Sequence, residues 1–126
     1  MTDADTMHIG ELAEKTGLSL RTLRHYDEVG LVSASGRTEG GFRLYTQADH
    51  DRLILIRRMK PLGFSLEEMA DLLSIIDALA AKPDTEAAAD LHRRLDVFVA
   101  EAAERREKLR SQLAMADEFL ELLRAQ

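Results

Sequence analysis

The sequence has no cysteine and no tryptophan, two prolines, and aromatic residues at only 5% of its 126 positions. Without thiols it can build no disulfide framework, no thiolate metal site and no thiol redox switch. No apolar stretch approaches the roughly 18 uninterrupted residues of a membrane span, and Met1–Gly10 has no apolar signal-peptide core. No membrane association and a cytoplasmic location are therefore expected. The length suits one small domain with an appendage and leaves little room for a separate ligand-binding domain.

Acidic residues outnumber basic ones, giving a net charge of −6, which is unfavourable for binding a polyanion. The distribution offsets the total. Between Arg21 and Lys60 there are eight Lys/Arg against five acids, whereas from Phe64 onward there are eight against fourteen. Such asymmetry suits a chain whose first half faces a polyanion and whose second half faces water and a partner.

Met1–Thr6 is polar, and residues 1–7 read as a flexible N-terminus. Ile9, Leu12 and Ala13 repeat at helical spacing and stop at Gly17, which predicts a short helix. Ser19 is a good N-cap for a second helix running toward Gly30, with Leu20 and Leu23 inward and Arg21, Arg24 and His25 on other faces. Two short helices across a glycine turn form a helix-turn-helix candidate. Leu31 and Val32 open an apolar run that breaks over Ser33–Gly41, and Phe42, Leu44 and Tyr45 read as a return strand. A two-stranded hairpin with Arg37 and Arg43 on its tip and edge is expected, leaning on the helices for stability.

Thr46 and Asp49 suggest a capping box for a third helix with Leu53, Ile56, Met59 and Leu62 inward, ending at Gly63. Ser65 caps a fourth, with Glu67 and Glu68 in its first turn and Leu66, Met69, Leu72, Leu73 and Ile76 as its apolar face. Pro83 and Asp84 mark a break, so residues 8–82 and 83–126 read as separate parts. From Thr85 to Ala125 there is neither glycine nor proline, which predicts one helix of about 40 residues and about 60 Å. Its narrow apolar stripe is Leu91, Leu95, Phe98 and Ala102, then Leu109, Leu113, Ala116, Leu120 and Leu123, interrupted at Arg105 and Arg106. A partner helix explains such a stripe best; a helix folded back on its own domain is the alternative.

The segments IGELAEKTGLSLRTLRHYDEVGLV, GRTEGGFRLYT and LILIRRMKPLGFSLEEMADLL resemble the mercury-resistance-regulator (MerR) family of winged helix-turn-helix transcription regulators. The resemblance covers His8 to Leu73. It implies a mostly α fold: a winged helix-turn-helix domain with a small two-stranded wing, then a long coiled-coil dimerisation helix. It also implies a homodimer that binds a pseudo-palindromic, double-stranded promoter and distorts its spacer, acting on RNA polymerase through the promoter, in a bacterial, nucleoid-associated setting. The expected DNA-facing positions are Ser19, Arg21, Thr22, Arg24, His25 and Tyr26 in the second helix, Arg37, Arg43 and Tyr45 in the wing, and Lys60. Arg21 and Arg24 are placed nearest base edges. Tyr45 could instead pack beneath the wing, and Arg57, Arg58 and Lys60 could be a solvated helix face, with Lys60 the best phosphate contact of the three. The nine stripe residues are the dimerisation positions, paired antiparallel in relatives.

This sequence departs from the family pattern at Ser33-Ala34-Ser35-Gly36, where prolines and a further Arg are usual, so a more flexible wing is expected. Phe42 stands where Tyr is usual. His25 replaces the more common aromatic. Metal- and redox-sensing relatives use cysteines; His8, His25, His50 and His92 share no ligand spacing, so no metal and no cofactor are expected. His92 reads as a surface residue. Any effector is unidentified: Met69, Ile76, Phe98 and Phe119 could line a ligand site but read first as core. No paired carboxylates, nucleophile–base pair or phosphate loop suggests an enzyme. Two other readings stay open, an architectural or recombination-type DNA-bending protein and a protein-interaction module acting through the long helix.

Overall fold

The computed structural model describes residues 6–126. In chain order it contains β1 (Thr6–His8), α1 (Ile9–Thr16), α2 (Leu20–Glu28), β2 (Gly36–Arg37), β3 (Arg43–Thr46), α3 (Gln47–Met59), a 3₁₀ turn (Lys60–Leu62), α4 (Leu66–Ala80) and α5 (Thr85–Arg124). Two compact units divide between Leu73 and Ser74, inside α4 rather than at the Pro83 break.

The first unit is built on local signals that agree with one another. Gly17, at φ 71°, closes α1 by donating its N–H to the Ala13 carbonyl. Ser19 caps α2 by accepting the Thr22 N–H at 3.0 Å. That helix ends in a Schellman motif: Gly30, at φ 76°, donates to the Asp27 carbonyl and Leu31 to that of Tyr26, closing carbonyls the helix leaves open. Thr46 and Asp49 form the reciprocal capping box of α3, and Ser65 and Glu68 form another before α4.

Several expectations are corrected. Thr6 and Met7 are not a flexible tail: β1 pairs antiparallel with β3, Met7 opposite Tyr45, so the sheet has three strands in the order β1-β3-β2. Polar Thr6 and His8 flank buried Met7, an alternation that puts one apolar side chain into the core. The rest of the expected flexible N-terminus lies outside the described residues. The first wing strand is Gly36–Arg37 rather than Leu31–Val32, because Leu31 and Val32 are tied to the end of α2, both donating to the Tyr26 carbonyl.

Leu20 is 40% exposed; Leu23 and Tyr26 are the inward residues of α2. The third helix stops at Met59, before Pro61 and the 3₁₀ turn, instead of running to Gly63. On α4, Leu66 is exposed and Ile76 half-buried, while Ile75 is buried with Met69, Leu72 and Leu73.

The core of the first unit includes Leu12, Leu23, Tyr26, Val32, Tyr45, Leu53, Ile56 and Met59. Thr16 is fully buried among them and donates its hydroxyl to the Leu12 carbonyl at 2.8 Å, so its polarity is satisfied. In the second unit α5 runs for 40 residues from its Asp84 cap.

Candidate nucleic-acid interface

With Leu23 and Tyr26 turned inward, Arg21, Arg24, His25 and Glu28 remain on the solvent side of α2. Together with Thr22, Tyr26, Lys60, Phe64, Leu66 and Met69 they line a groove of about 900 Å³. Tyr26, Phe64 and Met69 are buried, and Arg21, Arg24, His25 and Lys60 are exposed. The fold thus brings Lys60, more than thirty residues away in sequence, to the same groove as the two α2 arginines. Arg57 and Arg58 line a different groove with Ile54 and Pro61, which separates them from Lys60. Ser19 and Thr22 share a 2.9 Å hydrogen bond at the start of α2.

The wing is held to α2 by one carboxylate. Asp27 accepts the Ala34 N–H at 3.0 Å on one oxygen and Arg43 Nε at 2.6 Å on the other, with an Arg37 nitrogen 3.6 Å away. Burial pushes the Asp27 pKa up, but the Arg43 hydrogen bond, the Ala34 amide and the charges of Arg43 and Arg37 outweigh it, and the net shift is down. Arg43 is therefore a structural brace whose Nε is committed to Asp27. Arg37 is half exposed at its side chain, 52% against 23% for Arg43, and also donates to the Gly41 carbonyl at 2.9 Å.

A second anchor is Asp49, which accepts the Ser35 hydroxyl at 2.6 Å while serving its capping box. Ala34 and Ser35, expected to loosen the wing, are both pinned. At the tip, Gly41 donates to the Thr38 carbonyl, and Gly41 at φ 82° lets the chain reverse. Phe42 is 68% exposed beside it.

Tyr45 is 1% exposed, so it packs beneath the sheet and offers no hydroxyl to a phosphate. Its hydroxyl is buried without a hydrogen-bond partner among the described residues. An unsatisfied buried donor costs about 1–3 kcal/mol. Tyr45→Phe is therefore expected to leave DNA affinity unchanged and to preserve or raise stability by up to about 1 kcal/mol, read as the urea midpoint. A loss of either would show that the hydroxyl has a partner.

Asp27 yields a second prediction. Because its folded pKa lies below the ordinary 3.8, its stabilisation is fully present above that value and is lost as pH falls through the lower, folded one. Asp27→Asn should lower stability at pH 7 by about 2 kcal/mol, the scale of hydrogen bonds to a charged group. In urea titrations from pH 7 to 2 the gap between wild type and variant should close below about pH 4. A gap that persists at pH 2 would refute the Asp27 tie.

Sequence reasoning missed Asp27 and Asp49 as wing anchors, and it gave Phe42 a strand position instead of the exposed tip. No local pattern marks Asp27 for Arg43, sixteen residues on. Among the described residues no group of His, Asp or Glu is clustered to hold a metal, and no helix is long and apolar enough to cross a membrane.

A two-helix turn unit with a basic second helix and a β-wing braced against it defines a winged helix-turn-helix protein. The family profile described as MerR HTH family regulatory protein matches residues 7–75, and that described as MerR, DNA binding matches residues 50–126. The chain belongs to the MerR family of DNA-binding transcriptional regulators.

It is 47% identical over 74 residues to the mercuric resistance operon regulatory protein of Bacillus cereus, covering 59% of this chain and 56% of that protein. It is 36% identical over 119 residues to the HTH-type transcriptional regulator CueR of Escherichia coli O6:H1, covering 94% and 82%. The chain spans about half the length of the first curated relatives, which include 44% of a nodulation protein NolA from Bradyrhizobium elkanii. Among solved structures it resembles HiNmlR, a MerR family regulator lacking the sensor domain, bound to promoter DNA, at 30% identity, TM-score 0.62, and 94% and 84% coverage. A MerR family regulator from Bacillus thuringiensis, at 17% identity and TM-score 0.72 with 96% and 99% coverage, shares the fold.

Proposed function

We propose that two copies of this chain, joined through α5, bind a pseudo-palindromic promoter site and regulate transcription by distorting its spacer, so that RNA polymerase reads the change. The observation that carries the reading is the groove shared by Arg21, Arg24 and Lys60, with Arg37 exposed on a wing fixed to the same helix. Arg21 and Arg24 reach base edges, where a guanidinium can donate two hydrogen bonds to guanine. Thr22 and His25 lie beside them, and Ser19 fixes the start of the helix. Lys60 and Arg37 neutralise flanking phosphates, contacts that set position rather than sequence. Tyr26 presents only the edge that lines the groove.

The promoter-bound state of HiNmlR, a structural relative, supports this reading. The energy of bending and untwisting the spacer would make recognition depend on bases the protein never touches. A fragment carrying the DNA upstream of the chain's own coding region is the first probe. One dimer per site, a circular-permutation assay showing a bend, and altered transcription in a purified polymerase system are expected. Bending with unchanged transcription would favour an architectural role, and no binding to any duplex would defeat the proposal.

A further inference from the structure

The groove beside α2 has a lining that a polyanion does not use. Its cations, Arg21, Arg24 and Lys60, come from α2 and the 3₁₀ turn, whereas Phe64, Leu66 and Met69 bring apolar surface from α4 and the loop before it. Phe64 and Met69 are 7% and 2% exposed and form a dry floor, while Leu66, at 41%, stands open to water. A duplex offers phosphates, sugars and polar base edges, with the thymine methyl as the apolar group of its major groove. The cations suit all of these; the lining from α4 suits something more hydrophobic.

The charges of the groove are also free to meet a ligand. Arg37, Arg43 and Arg52 each have a carboxylate oxygen within 3.6 Å. Among the described residues, Arg21, Arg24 and Lys60 have none. Glu28 is the only acid among the described residues of the lining, and its charge also acts on Arg43 of the wing. Three cations against one acid leave the groove positive. Its volume of about 900 Å³ falls in the range of small-molecule sites, roughly 300–1,000 Å³, where apolar walls and a few placed polar groups are usual.

We propose, resting on the DNA reading above, that this groove also takes a small amphipathic anion, an apolar body with one carboxylate or sulfonate head, and that this ligand and the duplex exclude each other. The head pairs with the cations, where charge-assisted hydrogen bonds are strongest. The body covers Leu66 and rests on the floor of Phe64 and Met69. A guanidinium that donates to such a head cannot donate to guanine at the same time, and the body fills space that the duplex must enter. The ligand therefore acts on the DNA-binding unit itself and releases the promoter by direct competition.

The probe is 8-anilinonaphthalene-1-sulfonate, whose sulfonate and two ring systems have this chemistry, titrated into the full chain. Binding is followed by fluorescence and by the methyl resonances of carbon-13-labelled methionine. Met69 lies in the groove floor, Met7 and Met59 in the core, and Met115 is 59% exposed on α5, so the four report different places. One probe per chain is expected, shifting Met69 and leaving Met115 unmoved. The uncharged N-phenyl-1-naphthylamine, which lacks the sulfonate, should bind at least about tenfold more weakly. Leu66→Ser should weaken the sulfonate probe by about tenfold with an unchanged circular dichroism spectrum. With the probe at ten times its dissociation constant, the apparent dissociation constant for the upstream DNA fragment should rise about tenfold per occupied groove.

A shift of Met115 in place of Met69, or equal binding of the uncharged analogue, would mean general adhesion to apolar surface and would overturn the proposal. So would simultaneous binding of probe and duplex. If inorganic sulfate at the probe's concentration competes with the duplex equally well, the groove senses charge alone and the proposal fails. Probe and duplex are titrated separately as well as together. Duplex binding with no probe at Met69 defeats this inference alone, whereas a probe at Met69 with no duplex binding supports the anion site and defeats the regulatory reading.

Discussion

Leu113→Glu is expected to convert the proposed dimer to single chains and to weaken DNA binding by a factor of at least about 100. Leu113 is 64% exposed in the single chain, so its replacement leaves the fold of one copy intact and removes only what a partner helix would cover. Losing a large buried side chain costs about 2–5 kcal/mol, and the site occurs twice in a symmetric pair. Even about 4 kcal/mol in total raises the dimer dissociation constant roughly a thousandfold. Separated chains then lose the effective concentration that lets the second recognition helix bind once the first is seated. Light scattering at micromolar concentration should show the mass of one chain, with helix content unchanged by circular dichroism. A variant that remains dimeric and binds DNA normally would exclude α5 as the pairing element.

The double replacement Arg21→Ala, Arg24→Ala should have a comparable effect by a different route. A bidentate arginine contact to a base contributes about 1–3 kcal/mol of discrimination, and each arginine occurs once per half-site. Affinity for the cognate site should fall by at least about 100-fold while affinity for unrelated duplex falls much less, so the specificity ratio collapses. Lys60→Ala should instead weaken all sequences alike. If the double variant keeps its preference for the cognate site, α2 does not read bases.

Much of this architecture is written in short signals that act locally. Gly17, Ser19, Thr46 with Asp49, Ser65 and Asp84 each mark a helix end through a cap that uses their own chemistry, and these are readable because a cap involves residues within a few positions. The 40-residue α5 follows from a stretch with no helix breaker. What could not be read depends on distant partners. Met7 becomes part of a strand only because β3 lies beside it. Leu20 and Tyr26 exchange their expected roles because the direction of the core is set by other elements.

The same limit applies at the interface. Arg37 and Arg43 look alike in sequence, both basic residues of a hairpin. Asp27 separates them, holding Arg43 by Nε at 2.6 Å and leaving Arg37 half exposed. Ser35 reads as a loosened wing until Asp49 is found accepting its hydroxyl. On α5 the stripe was legible as apolar spacing, but only burial shows that its first half, with Leu91, Leu95, Phe98 and Ala102, is half-buried while Leu109, Leu113, Leu120 and Leu123 are exposed.

The most direct test of DNA recognition by this acidic chain is the salt dependence of its affinity for the upstream fragment, measured by fluorescence anisotropy. The two exposed cations per copy assigned to phosphates, Arg37 and Lys60, give four in a dimer, and a plot of log affinity against log salt should have a slope of about −4. Lys60→Ala should reduce its magnitude by about 2 per dimer. A slope near zero, or no binding at low salt, would contradict the assignment of this face to DNA.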